Sequence, residues 1–374
     1  MFDVIRRARA RLLGAGEASL SVPVFDGAFT PNNMLEEAPV FFEHPDLEDL
    51  GVAHDGGLFA ACGQDVVRID PSGHASTVAR FDAPLQALAL RADGGLAVAL
   101  GGRVLFEGGA EHGRQLTSVA GRALSGVNAL HSGPDGKLLI SEGSMRRPYS
   151  QWSHDLLEHG QTGRVLEFDP AHGATRVLAS GLAYCFGVCA SATNILATES
   201  WAHRIIELGA NRSTTVLDAL PGYPARMVRA ADGGYWLCLF AGRTQLLEFI
   251  LREDDFREEM MRTVEPKYWF APSLLSGRDF LEPQQTAGVM QMGIMKPWAP
   301  PRSYGLVVRL DTNLQPLYSL HSRVGGRNHG VVAAVEKGDD LFVLCKGAGR
   351  ILRILWPSCN PIFMKSATSH DADS

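Results

Sequence analysis

Six times along the chain a short apolar run meets a tight turn and is answered by a second apolar run. The turns are Asp55-Gly56, Asp93-Gly94, Asp135-Gly136, Thr193-Asn194, Asp232-Gly233 and Gly338-Asp339. The runs that follow are Val66–Ile69, Arg103–Phe106, Arg164–Phe168, Arg204–Leu208, Leu246–Phe249 and Arg350–Ile354. Asp-Gly between alternating apolar strands signals a hairpin, since both central residues of a two-residue turn take positive φ. Recurrence at roughly 40 residues is the spacing of four-stranded blades set around an axis. The pattern predicts an all-β fold, a six-bladed β-propeller, with its functional site where six inner strands converge.

At 374 residues the chain exceeds the usual size of one core. A repeat architecture accommodates that length, because each blade buries its faces only against its neighbours. A net charge of -6 leaves no basic footprint for nucleic acid. No run of about 18 apolar residues is present, so no membrane span is expected. Residues 1–13 hold a short basic amphipathic stretch that can lie on a membrane surface or on the propeller's side; a surface helix or frayed end is the plainer reading. The cysteines lack scaffold or zinc spacing and sit in apolar runs, as thiols do in a reducing cytoplasm, where the protein is expected. The expected organisation is an N-terminal extension over 1–20, a propeller over 21–360 and a polar tail over 361–374.

Two interruptions of the repeat carry the unusual residues. The first, about 142–162, holds Trp152 and His154; the second, about 252–303, holds Tyr268-Trp269-Phe270, Met290-Gln291-Met292, Met295 and Trp298. Long ordered loops in compact folds are disproportionately functional, and methionine with aromatics makes adaptable apolar surface. Both are expected to cover one face as inserted loops and short helices.

Counting seven residues back from each turn yields the tunnel-facing positions Glu48, Gln86, Asn128, Phe186, Ala225 and Val331. Oxygen donors at such positions can jointly hold a hard cation. Over nearly its whole length the chain resembles the strictosidine synthase-like proteins, six-bladed propellers in one superfamily with paraoxonases and the gluconolactonase/SMP-30 group. The residues that carry the resemblance are Val22–Gly27, Pro31–Glu36, Asp46–Leu50, Thr162–Pro170, Leu178–Tyr184, Ala197–Ser200, Leu220–Pro224 and Asp232–Trp236.

The resemblance implies a catalytic calcium in the lactonase branch, held by a first-blade glutamate, two asparagines and an aspartate. Glu48 and Asn128 match two of those donors. Phe186 and Ala225-Arg226 stand where the others belong, and Arg226 would repel a calcium ion, since like charges a few ångströms apart in a poorly solvated channel cost several kcal/mol. A metal-free site is therefore expected, with Glu48 and Asn128 as the ligands if calcium is retained. Strictosidine synthesis itself is not expected, because the last inner strand, Gly330–Val335, lacks the acid that the resemblance implies; a shifted register would bring up Glu336.

The remaining chemistry points to Glu48 as a general base or as an ion-pair partner of Arg226. His329 is a second acid–base candidate, titrating near neutrality. Arg226 offers a forked donor to an anionic group. Asn128, Phe186, Trp152, His154 and Trp269 complete the expected small-molecule site. The expected function is metal-independent acid–base chemistry, of lyase/synthase or isomerase type, on a partly hydrophobic organic molecule. The alternatives are a calcium-dependent lactonase or esterase, and a non-catalytic binding propeller.

Overall fold

The computed structural model describes residues 22–283 and 302–356, apart from residues 134, 192, 211 and 280. The N-terminal extension, the polar tail, Met290–Met292, Met295, Trp298 and Cys359 lie outside the described residues. Six four-stranded antiparallel sheets form the fold, each ordered outward from its first strand except at the closure. The innermost strands are Leu47–Val52, Leu85–Leu90, Val127–Ser132, Cys185–Ala190, Gly222–Arg229 and Val331–Lys337. Each packs on the next, and the sixth returns to the first, so the ring is complete.

Closure is made by a strand that the repeat did not reveal. Val40–Glu43 forms the outer strand of blade 6, pairing Val40 with Leu352, Phe42 with Ile351 and Glu43 with Arg350. A segment from the N-terminal side thereby clips onto the last blade, and the ring has no unpaired radial gap. Phe41 seals the clip against Phe342, with ring centroids 5.0 Å apart.

The hairpin turns differ from expectation in their backbone. Gly56, Gly94, Gly136 and Gly233 have positive φ, but their preceding aspartates do not. Each aspartate instead accepts from the amide two residues on: Asp55 from Gly57 at 2.8 Å, Asp93 from Gly95 at 3.0 Å, Asp135 from Lys137 at 3.2 Å and Asp232 from Gly234 at 3.0 Å. The glycine supplies the left-handed conformation, while aspartate caps the turn from its side chain.

One predicted strand is a helix. Leu246–Phe249 lies within Gln245–Ile250, capped by Thr244, whose hydroxyl accepts from the Leu247 amide at 3.2 Å. The third strand of blade 5 is Gly305–Leu310, so the insertion begins directly after Tyr235–Gly242. It continues through the helix Asp254–Thr263. The first insertion leaves blade 3 after Glu142, forms a short turn of helix at Tyr149–Gln151 and the helix Trp152–Leu157, and re-enters at Gly163. The Trp201 indole donates to Asp155 at 2.8 Å, fastening that helix to blade 4.

Candidate active site

Bulges set the axis. In blade 1 the register runs from Leu47 opposite Cys62 to Asp49 opposite Ala61, leaving Glu48 as the extra residue. Gln86 and Asn128 are extra in the same way in blades 2 and 3, Phe186 falls in the bulge of blade 4, and Ala225-Arg226 fall in that of blade 5. A bulge re-aims the residue it releases from the ladder. In blade 6 the released residue is Val332, one place beyond the predicted Val331, which pairs with Cys345.

Arg226 occupies the centre. Its guanidinium donates to the carbonyl oxygens of Glu48 at 3.2 Å, Gln86 at 2.8 Å and Asn128 at 2.6 Å. Its Nε lies 3.3 Å from the Asp49 carboxylate, and its Cζ sits 5.4 Å from the Phe186 ring centre. Asp49 also accepts from the amides of Leu50 and Leu88, both at 2.8 Å, linking blades 1 and 2. Burial raises the Asp49 pKa, against the pull of Arg226 and those two amides. Burial opposes the charge on Arg226, but Asp49, with Tyr149 and Glu48 behind it, holds its pKa above the ordinary guanidinium value. Two expectations are thereby corrected: Arg226 pairs with Asp49 and not with the Glu48 carboxylate, and its donors face the frame of the propeller, not an incoming anion.

The Glu48 carboxylate turns the other way, into a cleft of about 870 Å³. Lys346 Nζ donates to it at 2.6 Å, the Tyr149 hydroxyl donates to the same oxygen, and Lys346 Nζ lies 3.0 Å from that hydroxyl. Burial and the nearby Glu48 charge push the Tyr149 pKa far up, so the phenol stays protonated as a donor. Pro45, Leu47, Leu85, Trp152, Leu274 and Leu275 make the apolar walls. The cleft therefore draws on blades 1, 2 and 6 and on both insertions. It sets the Glu48 carboxylate and the Lys346 ammonium beside apolar surface, with His44, Asp46, Asp65 and Arg80 also on its lining and the Tyr149 phenol buried behind Glu48. That arrangement can take a proton from a bound molecule and stabilise negative charge developing on its oxygen.

The other predicted residues are distributed around this site. Trp152 lines the cleft and packs edge-on against Phe240 at 5.6 Å. Asn128 is fully buried; its amide donates to Cys185 O at 2.9 Å, and its oxygen accepts from the Tyr184 hydroxyl at 3.4 Å. Phe186 lies under Arg226. His154 packs edge-on against Trp269 at 4.6 Å, and the Trp269 indole donates to Val264 O at 2.8 Å, so both belong to the packing of the second insertion. His329 is not brought to Glu48. It is buried, with Nδ1 2.8 Å from Ser303 Oγ and Nε2 2.9 Å from Arg323 O, and burial lowers its pKa. Glu336 does not reach the axis either, since its carboxylate accepts from the Trp236 indole at 2.5 Å and from the Ala231 amide at 2.6 Å.

Sequence reasoning missed Asp49, Tyr149 and Lys346. A lysine directly after the buried strand Asp340–Cys345 was the available signal for Lys346.

The residues present do not fit a calcium ion. The Asn128 side chain is committed to Cys185 and Tyr184, the Glu48 carboxylate to Lys346 and Tyr149, and a guanidinium stands among the axial carbonyls. Among the described residues no cluster of three or more His, Cys, Asp or Glu is placed to hold a metal.

Fold and site together define a six-bladed propeller with a covered, charged cleft at one end of its axis. The strictosidine synthase family model matches residues 128–208. Strictosidine synthase-like 6 of Arabidopsis thaliana is 28% identical over 164 residues, covering 43% of this chain and 41% of that protein. An adipocyte plasma membrane-associated protein of Salmo salar is 30% identical over 250 residues, covering 59% and 60% respectively. These matches bear out the resemblance carried by the sequence: the chain is a six-bladed propeller similar, over part of its length, to strictosidine synthase-like proteins. It spans less than two thirds of the length of either relative. In fold it is similar to a gluconolactonase from Xanthomonas campestris (TM-score 0.55, 13% identity, 85% of this chain and 89% of that one). It is also similar to a calcium-binding regucalcin from Agrobacterium tumefaciens (TM-score 0.52, 12% identity, 85% and 92%). No helix among the described residues is long and apolar enough to cross a membrane.

Proposed function

We propose that the protein is a small-molecule enzyme that performs metal-independent acid–base chemistry in this cleft, of lyase/synthase or isomerase type. The substrate class is a partly apolar organic molecule bearing a carbonyl or similarly polarised oxygen. The observation that carries the reading is the convergence of Lys346 and the buried Tyr149 on the Glu48 carboxylate, with Glu48 and Lys346 lining the cleft. Glu48 serves as the base that removes a proton beside the carbonyl. Lys346 serves as the cation that stabilises the resulting oxyanion, and Tyr149 orients the carboxylate and returns a proton. Trp152, Leu274 and Leu275 exclude water from the apolar part of the substrate. This assignment replaces His329 with Lys346 and Tyr149 as the partners of Glu48.

The test is a turnover screen, followed by NMR, of aldehydes, ketones, keto acids, lactones and esters, with and without a chelator. Wild-type protein should turn over a carbonyl compound in both conditions. Glu48→Gln and Lys346→Met should lose turnover while keeping the fold, as read by circular dichroism. Turnover that a chelator abolishes would instead favour the calcium-dependent lactonase or esterase. Ligand binding without turnover would favour the non-catalytic propeller.

A further inference from the structure

The axis itself carries a second reading. Three main-chain carbonyl oxygens, from the bulged residues Glu48, Gln86 and Asn128 of three consecutive blades, point at one guanidinium. A carboxylate closes the group from Asp49, and the face of Phe186 lies beneath it. Converging carbonyl dipoles repel one another, and buried acceptors without a donor are costly. Such an array persists because a cation sits in it. Its oxygens are mostly main-chain atoms placed by bulges, so their positions are set by the strands, and what the array requires is a cation, not the Arg226 backbone.

We infer that the propeller axis contains a cation cradle and that Arg226 is its tethered occupant. The cradle is built for a small planar cation of the guanidinium type. Its oxygens stand 2.6–3.2 Å from the guanidinium nitrogens, at hydrogen-bonding distances. Oxygen ligands of calcium lie closer, at about 2.3–2.6 Å, and number six to eight. One guanidinium nitrogen meets the Gln86 and Asn128 carbonyls and the other meets that of Glu48, a forked arrangement that a rigid planar guanidinium presents as one unit.

The inference predicts chemical rescue. Arg226→Ala should melt at a lower temperature than wild type. Millimolar guanidinium chloride should then raise the melting temperature of the variant saturably, while sodium chloride at the same concentration does not. The same guanidinium should leave wild type unchanged or slightly lower, because its cradle is filled. Calorimetric titration of the variant should show one binding site for guanidinium and none in wild type. A variant that responds equally to guanidinium and sodium chloride would overturn the inference. Rescue by calcium but not by guanidinium would overturn the ligand class. Should Arg226→Ala fail to fold, Arg226→Lys serves as the second test, since it keeps the charge and most of the volume. It should fold with a lowered melting temperature that guanidinium does not restore, and a melting temperature equal to wild type would refute the requirement for a fork.

Discussion

His321 should make the protein sensitive to mild acid, because burial and the hydrogen bonds around it hold it as a neutral imidazole. It is fully buried on the outermost strand of blade 5, Pro316–Ser322. The single hydroxyl proton of Ser319 goes to Ala28 O at 2.8 Å. His321 Nε2, 2.6 Å from Ser319 Oγ, must then be the donor to that hydroxyl oxygen. Nδ1 in turn accepts from the Tyr304 hydroxyl at 3.0 Å. The ring is thus a neutral imidazole with both nitrogens satisfied, and protonation would set a second donor against Tyr304. Burial, helped by Arg323, lowers its pKa from 6.5 to about 3. Because the folded pKa lies below the unfolded one, the unfolded chain takes up the proton first. Stability is complete above pH 6.5 and falls as pH drops toward 3. One pKa unit is worth about 1.36 kcal/mol, so descending about 1.5 units, to pH 5, removes about 2 kcal/mol. His131, lowered by burial to about 4, adds to the fall over the same window. Urea unfolding at pH 7 and pH 5 measures it. The loss on acidification should be about 2 kcal/mol smaller in His321→Gln than in wild type, whatever the substitution costs at pH 7. An equal loss in both proteins would refute the assignment of a neutral, locked histidine.

Three further outcomes test the frame around the site. Arg164→Leu strands the Glu142 carboxylate, which is wholly buried and would keep only the Ser125 amide at 2.7 Å. The cost should be about 3–5 kcal/mol in urea unfolding, with partial recovery on adding Glu142→Leu; a single-variant cost near zero would contradict a buried pair. At Gly347 an added Cβ would lie 1.9 Å from Leu274 O, so Gly347→Ala should displace the loop that walls the cleft and speed hydrogen exchange at residues 273–276. Unchanged exchange there would show that the close approach is not maintained in solution. Phe41→Ala removes the ring that seals the closing strand on Phe342, and should cost about 2 kcal/mol, less than the 3–5 of a fully buried phenylalanine. A neutral effect would mean that main-chain pairing alone closes the ring.

What could be read in the sequence followed local rules, and what could not depended on distance along the chain. Turn spacing located the axial residues of four blades because those blades place the bulge at a constant offset from the turn, at Glu48, Gln86, Asn128 and Phe186. The count slipped in blade 6, where Lys337 pairs with Asp340 across a two-residue hairpin. The run Leu246–Phe249 is too short for its period to separate strand from helix, and Thr244, a capping residue, was the discriminating signal. The partners of Glu48 lie 101 and 298 residues away, at Tyr149 and Lys346, and no local pattern connects them.

The exchange of partners at the axis has a physical reason. Strict alternation puts Glu48 and Asp49 on opposite faces of one strand, so the sequence offers two neighbouring carboxylates and no means of choosing between them for Arg226. The bulge releases Glu48 from the ladder, letting its carbonyl serve the axis while its side chain enters the cleft. Asp49 stays paired with Ala61 and is left to balance the buried guanidinium. The resemblance implies a cation site of which this chain lacks two side-chain oxygen donors, with Phe186 and Ala225-Arg226 in their places. The main-chain oxygens remain, and the positive charge remains with them, carried by a residue of blade 5. An axis of this kind carries its cation on a side chain, and it leaves the Glu48 carboxylate to Lys346 and Tyr149 on the cleft side.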